Sequence, residues 1–136
     1  MSETWITGIA HYGLRVADLE RSKGFYEKLG FRFALGPVGT EPVAIMKHPA
    51  GIELNLVINA SQQSADNILM DVPTKYAGYT HVALEVNNLD QVLERLQRAS
   101  IELSGGPESF PNGGRAVFIR DPDRNVIELH ERGRTG

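Results

Sequence analysis

Two histidines and two glutamates recur at matching places along this chain. His11 opens the segment His11-Tyr-Gly-Leu14-Arg-Val16-Ala-Asp-Leu19, and His81 opens His81-Val-Ala-Leu84-Glu-Val86-Asn-Asn-Leu89. Later in each half stand Ile52-Glu53-Leu54 and Ile127-Glu128-Leu129. Imidazole with carboxylate suits a first-row divalent cation such as Ni, Zn, Mn, Co or Fe. Four such donors leave two octahedral positions for water or substrate, and an open position separates a catalytic cation site from a structural one. Each residue alone has a plainer reading. A strand histidine is commonly a hydrogen-bonded core residue, and Glu53 and Glu128 would face solvent on a one-sided sheet. What favours a metal site is that all four fall at corresponding places in a repeat, and that carboxylates are rarely buried unless paired or metal-bound.

The elements that position these side chains follow from pattern. Ile6–Val16 alternates and is β-rich, which predicts a strand. Asp18 caps a predicted helix that Gly30 ends, with Leu19, Ser22, Phe25, Tyr26 and Leu29 on one face. Phe31–Leu35, Val43–Lys47 and Ile52–Ile58 read as strands, separated by turns at Gly36-Pro-Val-Gly39 and His48-Pro-Ala-Gly51. The second half repeats this order. It has a strand over Tyr79–Val86 and a helix from Asn88 with Leu89, Val92, Leu93 and Leu96 inward. A strand begins at Ile101–Leu103 and is broken by Gly105-Gly-Pro107. Two further strands, Arg115–Arg120 and Asn125–His130, are joined by the turn Asp121-Pro-Asp-Arg-Asn125.

The prediction is therefore α+β. One domain spans residues 1–136, with a βαβββ module over about 6–58, a polar linker over 59–77 and a second βαβββ module over about 78–131. His11 and Glu53 are 42 positions apart, His81 and Glu128 47, and the difference is assigned to a longer loop at Glu108-Ser-Phe-Pro-Asn-Gly-Gly114. The linker is long for a compact domain, as functional connections often are.

Alternate strand residues share a face. His11, Gly13 and Arg15 point one way, as do Glu53, Asn55 and Val57. In the second half His81, Ala83 and Glu85 share a face, and so do Glu128 and His130. Asn55 and His130 would line the cavity beside their glutamates. Arg15 would either grip a substrate carboxylate through its planar fork or form a salt bridge to Glu85. His48, before Pro49 in a turn, is expected to be exposed.

Bulk properties set limits. The chain has 136 residues and a net charge of −3, which gives no basic footprint for nucleic acid or an anionic membrane. No cysteine is present, so thiolate ligands and disulfides are excluded. No apolar run nears the roughly 20 residues of a membrane span, and no signal-peptide pattern opens the chain. The expected location is cytoplasmic.

Longer segments carry a resemblance over about Ile6–Glu131. They are His11-Tyr-Gly-Leu-Arg-Val16-Ala-Asp-Leu19-Glu-Arg-Ser22, Phe25-Tyr26-Glu-Lys-Leu29-Gly30-Phe31, Gly78-Tyr-Thr-His81-Val-Ala-Leu84 and Phe118-Ile-Arg-Asp121-Pro122-Asp123-Arg-Asn125-Val-Ile-Glu128-Leu129. In these the chain resembles the vicinal oxygen chelate superfamily, which includes glyoxalase I, bleomycin-resistance proteins, extradiol dioxygenases, methylmalonyl-CoA epimerases and fosfomycin-resistance enzymes. The resemblance implies paired modules forming a half-open barrel around a divalent metal (Ni, Zn, Mn or Fe), held by His11, Glu53, His81 and Glu128. It also implies a homodimer, in which the modules of one barrel can come from different subunits.

The ligand pattern is closest to that of glyoxalase I (lactoylglutathione lyase). That implies lyase or isomerase chemistry on a small α-hydroxycarbonyl or thiol adduct, with Glu128 as the proton-carrying base, Glu53 mainly a ligand, and Arg15 where those enzymes hold a glutathione carboxylate. Two departures bear on glutathione. Val57 stands where an Asn is usual, and Asn112-Gly113-Gly114-Arg115 stands where a lysine is expected. The alternatives are an Fe-dependent extradiol dioxygenase and a metal-free bleomycin-resistance-like drug-binding protein.

Overall fold

The computed structural model describes residues 4–61 and 66–133. The chain divides into two compact units, Met1–Gln63 and Ser64–Gly136. The first holds β1 (Tyr12–Arg15), α1 (Leu19–Lys28), β2 (Arg32–Val38), β3 (Val43–His48) and β4 (Ile52–Val57). The second holds β5 (His81–Val86), α2 (Leu89–Arg98), β6 (Leu103–Ser109), β7 (Arg115–Arg120) and β8 (Val126–Glu131). This is the α+β duplication of βαβββ that the periodicity predicts. Each unit has one four-stranded mixed sheet, ordered β1-β4-β3-β2 and β5-β8-β7-β6. The first and last strands of each unit pair in parallel and the remainder antiparallel. Among the described residues no helix is long and apolar enough to cross a membrane.

Helix starts lie where short polar side chains can catch orphan amides. Asp18 Oδ1 accepts from Arg21 N at 2.9 Å, and Asn88 Oδ1 accepts from Gln91 N at 3.1 Å. Inside the first unit Val16, Tyr26, Phe31, Ala44, Met46, Leu54 and Leu56 are buried, and inside the second Leu89, Leu96, Val117, Ile119, Ile127 and Leu129. Leu54 and Leu56 alternate with Glu53 and Asn55, as Ile127 and Leu129 do with Glu128 and His130. Full burial of one such apolar side chain is worth about 1.5–3 kcal/mol. A slip of one residue would expel the leucines and drive the carboxylates inward, so the core pins the register that aims the polar face.

Four expectations need correction. First, Ile6–Val16 is not one strand, since only Tyr12–Arg15 pairs. β4 begins at Ile52, and its register with β1 sets Leu54 beside Tyr12, so residues 6–9 lie beyond its end. Ile6 and Ile9 are accordingly exposed.

Second, neither Gly36-Pro37 nor Gly105-Gly106-Pro107 breaks its strand; β2 and β6 run through them. Both are edge strands, where a proline forfeits no ladder bond, and pairing shifts at bulges around them. Gly36 (φ +113°) and Gly106 (φ +80°) take backbone positions that disfavour other residues. A Cβ at either would strike a carbonyl oxygen of the neighbouring strand, Val43 O or Ala116 O.

Third, the five-residue difference between the halves does not lie in one loop. The parallel pairs set Tyr12 beside Leu54, an offset of 42, but His81 beside Val126, an offset of 45. Three residues are therefore loop length, and the 121–125 turn exceeds its 49–51 counterpart by two. The last two are a displacement of Glu128 along its strand. Fourth, His48 is half-buried, not exposed. It packs edge-on to Phe31 at 5.0 Å, lies 3.2 Å from Leu29 O through Nε2, and accepts from Ala50 N at 3.0 Å.

The described part of the linker from residue 66 onward belongs to the second unit. Asp71 receives both Arg120 amino groups at 2.8 and 2.9 Å and Arg124 Nε at 3.2 Å. Asn67 Nδ2 donates to Arg124 O at 3.0 Å. The Arg120 hydrogen bonds, the Asn67 backbone N–H and Arg124 hold the Asp71 carboxyl well below the usual carboxylate range.

Candidate metal centre

Each unit brings one predicted histidine to one predicted glutamate. In the first, His11 immediately precedes β1 and Glu53 lies on β4. Continuing the β1–β4 register by one residue sets them side by side. His11 Nδ1 is 3.8 Å from Glu53 Oε2, and their side chains are 46% and 33% exposed. Lys47 of β3 pairs with Glu53 on its other side. Two residues further along, on the same face, Asn55 lies beside Gly13. Its Oδ1 is buried without a hydrogen-bond partner among the described residues.

Arg15, on the same face, is engaged within its own unit. Its Nε donates to Asn59 Oδ1 at 2.9 Å, and its guanidinium lies 3.5 Å from Glu41. Glu85, the other partner expected for Arg15, pairs with Arg132 at 2.8 Å within the second unit. Its strand β5 ladders with β8, whereas β1 ladders with β4.

The second unit is tighter. Glu128 stands opposite Ala83, two residues beyond Val126, the partner of His81. His81 Nε2 nevertheless reaches Glu128 Oε1 at 3.1 Å. The other carboxylate oxygen, Oε2, lies 2.7 Å from His130 Nδ1. Glu128 is 12% exposed, against 33% for Glu53. Thr80 Oγ1 lies 2.8 Å from His81 Nδ1. It can take the Nδ1 proton and leave the Nε2 lone pair for a cation, the support that metal-bound imidazoles usually have. Phe118, the β7 partner of Glu128, meets the His81 ring edge-on at 5.9 Å. Phe110 stacks on His130 with centroids 5.5 Å apart and planes 15° apart.

The donor sets fit a divalent ion. At metal–ligand distances of 2.0–2.2 Å, two donors on one ion lie about 3.0 Å apart at a right angle and about 3.4 Å apart at a tetrahedral angle. The His81–Glu128 pair already has that separation, and the His11–Glu53 pair, at 3.8 Å, is wider. Among the described residues, no three His, Cys, Asp or Glu side chains of either unit form a cation cage by themselves. Each unit thus offers one imidazole–carboxylate pair. Thr80, Phe110 and Phe118 escaped the sequence reading. Thr80 adjoins His81 without any periodic signal, and the two phenylalanines reach the site only through strand pairing and a turn.

Known proteins match this chain over most of its length. Residues 8–129 match the model of the glyoxalase/bleomycin resistance protein/dioxygenase superfamily. Lactoylglutathione lyase of Escherichia coli O157:H7 is 31% identical, over 90% of this chain and 91% of that protein. Fosfomycin resistance protein FosX of Listeria innocua serovar 6a is 23% identical, over 92% of this chain and 90% of its own length. Among solved structures, a glyoxylase/bleomycin resistance protein/dioxygenase domain from Frankia sp. EAN1pec superposes with a TM-score of 0.75 at 25% identity, covering 96% and 95% of the two chains. This chain belongs to the glyoxalase/bleomycin resistance protein/dioxygenase superfamily.

Proposed function

We propose that the protein is a divalent-metal-dependent lyase or isomerase of the glyoxalase I type, acting on a small α-hydroxycarbonyl or thiol adduct. The observation that carries this reading is the pairing of one imidazole with one carboxylate in both units, at the ligand-like separation of 3.1 Å for His81–Glu128 and more loosely at 3.8 Å for His11–Glu53. In this reading the four residues hold one ion, Ni, Zn, Mn or Fe, with the two halves drawn from one chain or from two chains of a cytoplasmic homodimer. When bound, the ion supplies Lewis-acid stabilisation of negative charge on two vicinal substrate oxygens. Glu128 takes the proton from one substrate carbon and returns it to the adjacent carbon, so the substrate is isomerised without net gain or loss of protons. Glu53 mainly binds the ion. Asn55 offers its unpartnered Oδ1 to a substrate hydroxyl or amide. Arg15 takes a substrate carboxylate by exchanging Glu41 for it.

The test is metal analysis of purified protein, then turnover of the methylglyoxal–glutathione hemithioacetal with each of the four metals. Bound metal with hemithioacetal turnover supports the reading. Bound metal without it moves the substrate elsewhere, and fosfomycin with a thiol or water is the next assay because of the FosX match. Oxygen uptake with catechols under Fe(II) would instead place the protein among ring-cleaving dioxygenases. A protein that takes up no divalent ion is a binding scaffold, and the catalytic reading fails.

A further inference from the structure

We infer that His130 is a positioning residue for Glu128, holding the carboxylate so that a single oxygen, Oε1, is presented beside His81. This rests on the metal-dependent reading above and assigns that site a part that the ligand pattern does not contain. An ionised carboxylate can only accept hydrogen bonds, so the 2.7 Å contact requires the proton on His130 Nδ1. That donation occupies Oε2 and leaves Oε1 facing His81 Nε2 at 3.1 Å. The imidazole is itself braced, since the Phe110 ring lies nearly parallel to it at 5.5 Å. Phe110 is in turn set by the β6–β7 turn, where its N–H donates to Gly114 O at 2.8 Å and its carbonyl accepts from Gly113 N at 2.9 Å. The chain turn–Phe110–His130–Glu128 therefore runs from backbone to donor atom without a loose link.

His130 is not itself a third ligand here. Its Nδ1 is committed to Glu128, and among the described residues His81, Glu128 and His130 do not form a three-donor cage. Among the described residues no hydrogen bond ties Glu53 to Asn55, the next polar residue on its face. Carboxylates oriented in this way typically hold a metal 10–100-fold more tightly than unsupported ones.

The experiment measures Co(II) affinity by competition with a chromophoric chelator, together with the visible Co(II) spectrum, for the wild type, His130→Leu and His130→Asn. His130→Leu is expected to weaken Co(II) binding by about 10–100-fold and to alter the ligand-field bands. His130→Asn places an amide N–H where Nδ1 was and is expected to restore both. Wild-type affinity and spectrum in His130→Leu, or an asparagine variant as weak as the leucine one, overturns the proposal. If His130→Leu does not fold, Phe110→Leu carries the test. It removes only the bracing ring and is expected to lower affinity several-fold, and no change overturns the proposal. Failure of the wild type to bind any divalent ion strikes at the metal-dependent reading itself, and so is distinct from failure of the His130 variants alone.

Discussion

The two imidazole–carboxylate pairs share their donor types but differ in how firmly they are held. In the first unit His11 and Glu53 are direct neighbours across β1 and β4, loosely spaced at 3.8 Å and substantially exposed. In the second, Glu128 is displaced by two residues along β8 yet sits 3.1 Å from His81, with its other oxygen tied to His130. Duplication supplied both halves with the same donors. What differs is the support behind them. Thr80, Phe110, Phe118 and His130 surround the second pair, whereas Lys47, Gly13 and Asn55 surround the first. A carboxylate that carries a proton needs a fixed attack geometry, and the second unit is the better place for one.

The sharpest break of this comparison is a matched pair of amide substitutions. Glu128→Gln is expected to lower turnover by about 10²–10⁴-fold, the usual worth of a positioned general base. Glu53→Gln should act mainly through metal affinity, so that excess metal recovers much of the rate. Steady-state kinetics across a metal titration separates the two. Equal, metal-rescuable losses would erase the functional difference between the halves.

The second contrast concerns stability. Only the second unit has the Asp71–Arg120–Arg124 cluster among its described residues, and Arg120 and Asp71 are each under a fifth exposed. Asp71→Asn should cost about 2 kcal/mol, within the range for lost charge-assisted hydrogen bonds, read from urea unfolding. The sign with pH follows from the carboxyl being held below its unfolded value of about 3.9. The stabilisation is complete above that value and is lost as pH falls from there towards the lower folded value. Asp71→Asn should therefore flatten the acid limb of the stability curve. An unchanged limb would show that the cluster does not control acid unfolding.

Glycine substitutions test whether the edge strands are equivalent. Gly36→Ala and Gly106→Ala each place a Cβ against a carbonyl of the adjacent strand at positive φ, and each should cost roughly 1–3 kcal/mol. Thermal melts with similar losses would confirm that both units use the same Gly-Pro edge device. The smallest effect lies at the helix caps. Asp18→Ala should cost about 1 kcal/mol. Asn88→Ala should cost less, because Glu131 Oε2 also accepts from Leu89 N at 2.7 Å at the start of α2. That amide, followed by Arg115, holds the Glu131 carboxyl below its ordinary range. Equal losses at the two caps would deny Glu131 that role.

Much of this was legible in residue order. The helix caps at Asp18 and Asn88, the inward faces carrying Tyr26 and Leu96, and the repeated βαβββ order follow from local chemistry and periodicity, which act over a few residues. So does the sharing of one strand face by Glu53 with Asn55, and by Glu128 with His130, because side-chain alternation is a property of any strand. The misses have a common cause. Residues 6–9 have strand-like alternation but no partner strand among the described residues, and Gly36-Pro37 and Gly106-Pro107 have turn-like composition but lie on edges where proline does no harm. In both cases the neighbouring strand, not the segment itself, decided the outcome.

The sequence by itself determined which donor types the site contains, and it excluded thiolates outright. Only tertiary pairing decided that Glu53 stands opposite His11 while Glu128 stands two residues beyond the partner of His81, since register depends on loop lengths and core burial along the whole unit. It also decided that Arg15 meets Glu41 and Asn59, and that Phe110 braces His130. Such contacts join residues tens of positions apart, and short-range patterns carry no information about which distant side chain a strand will bring alongside.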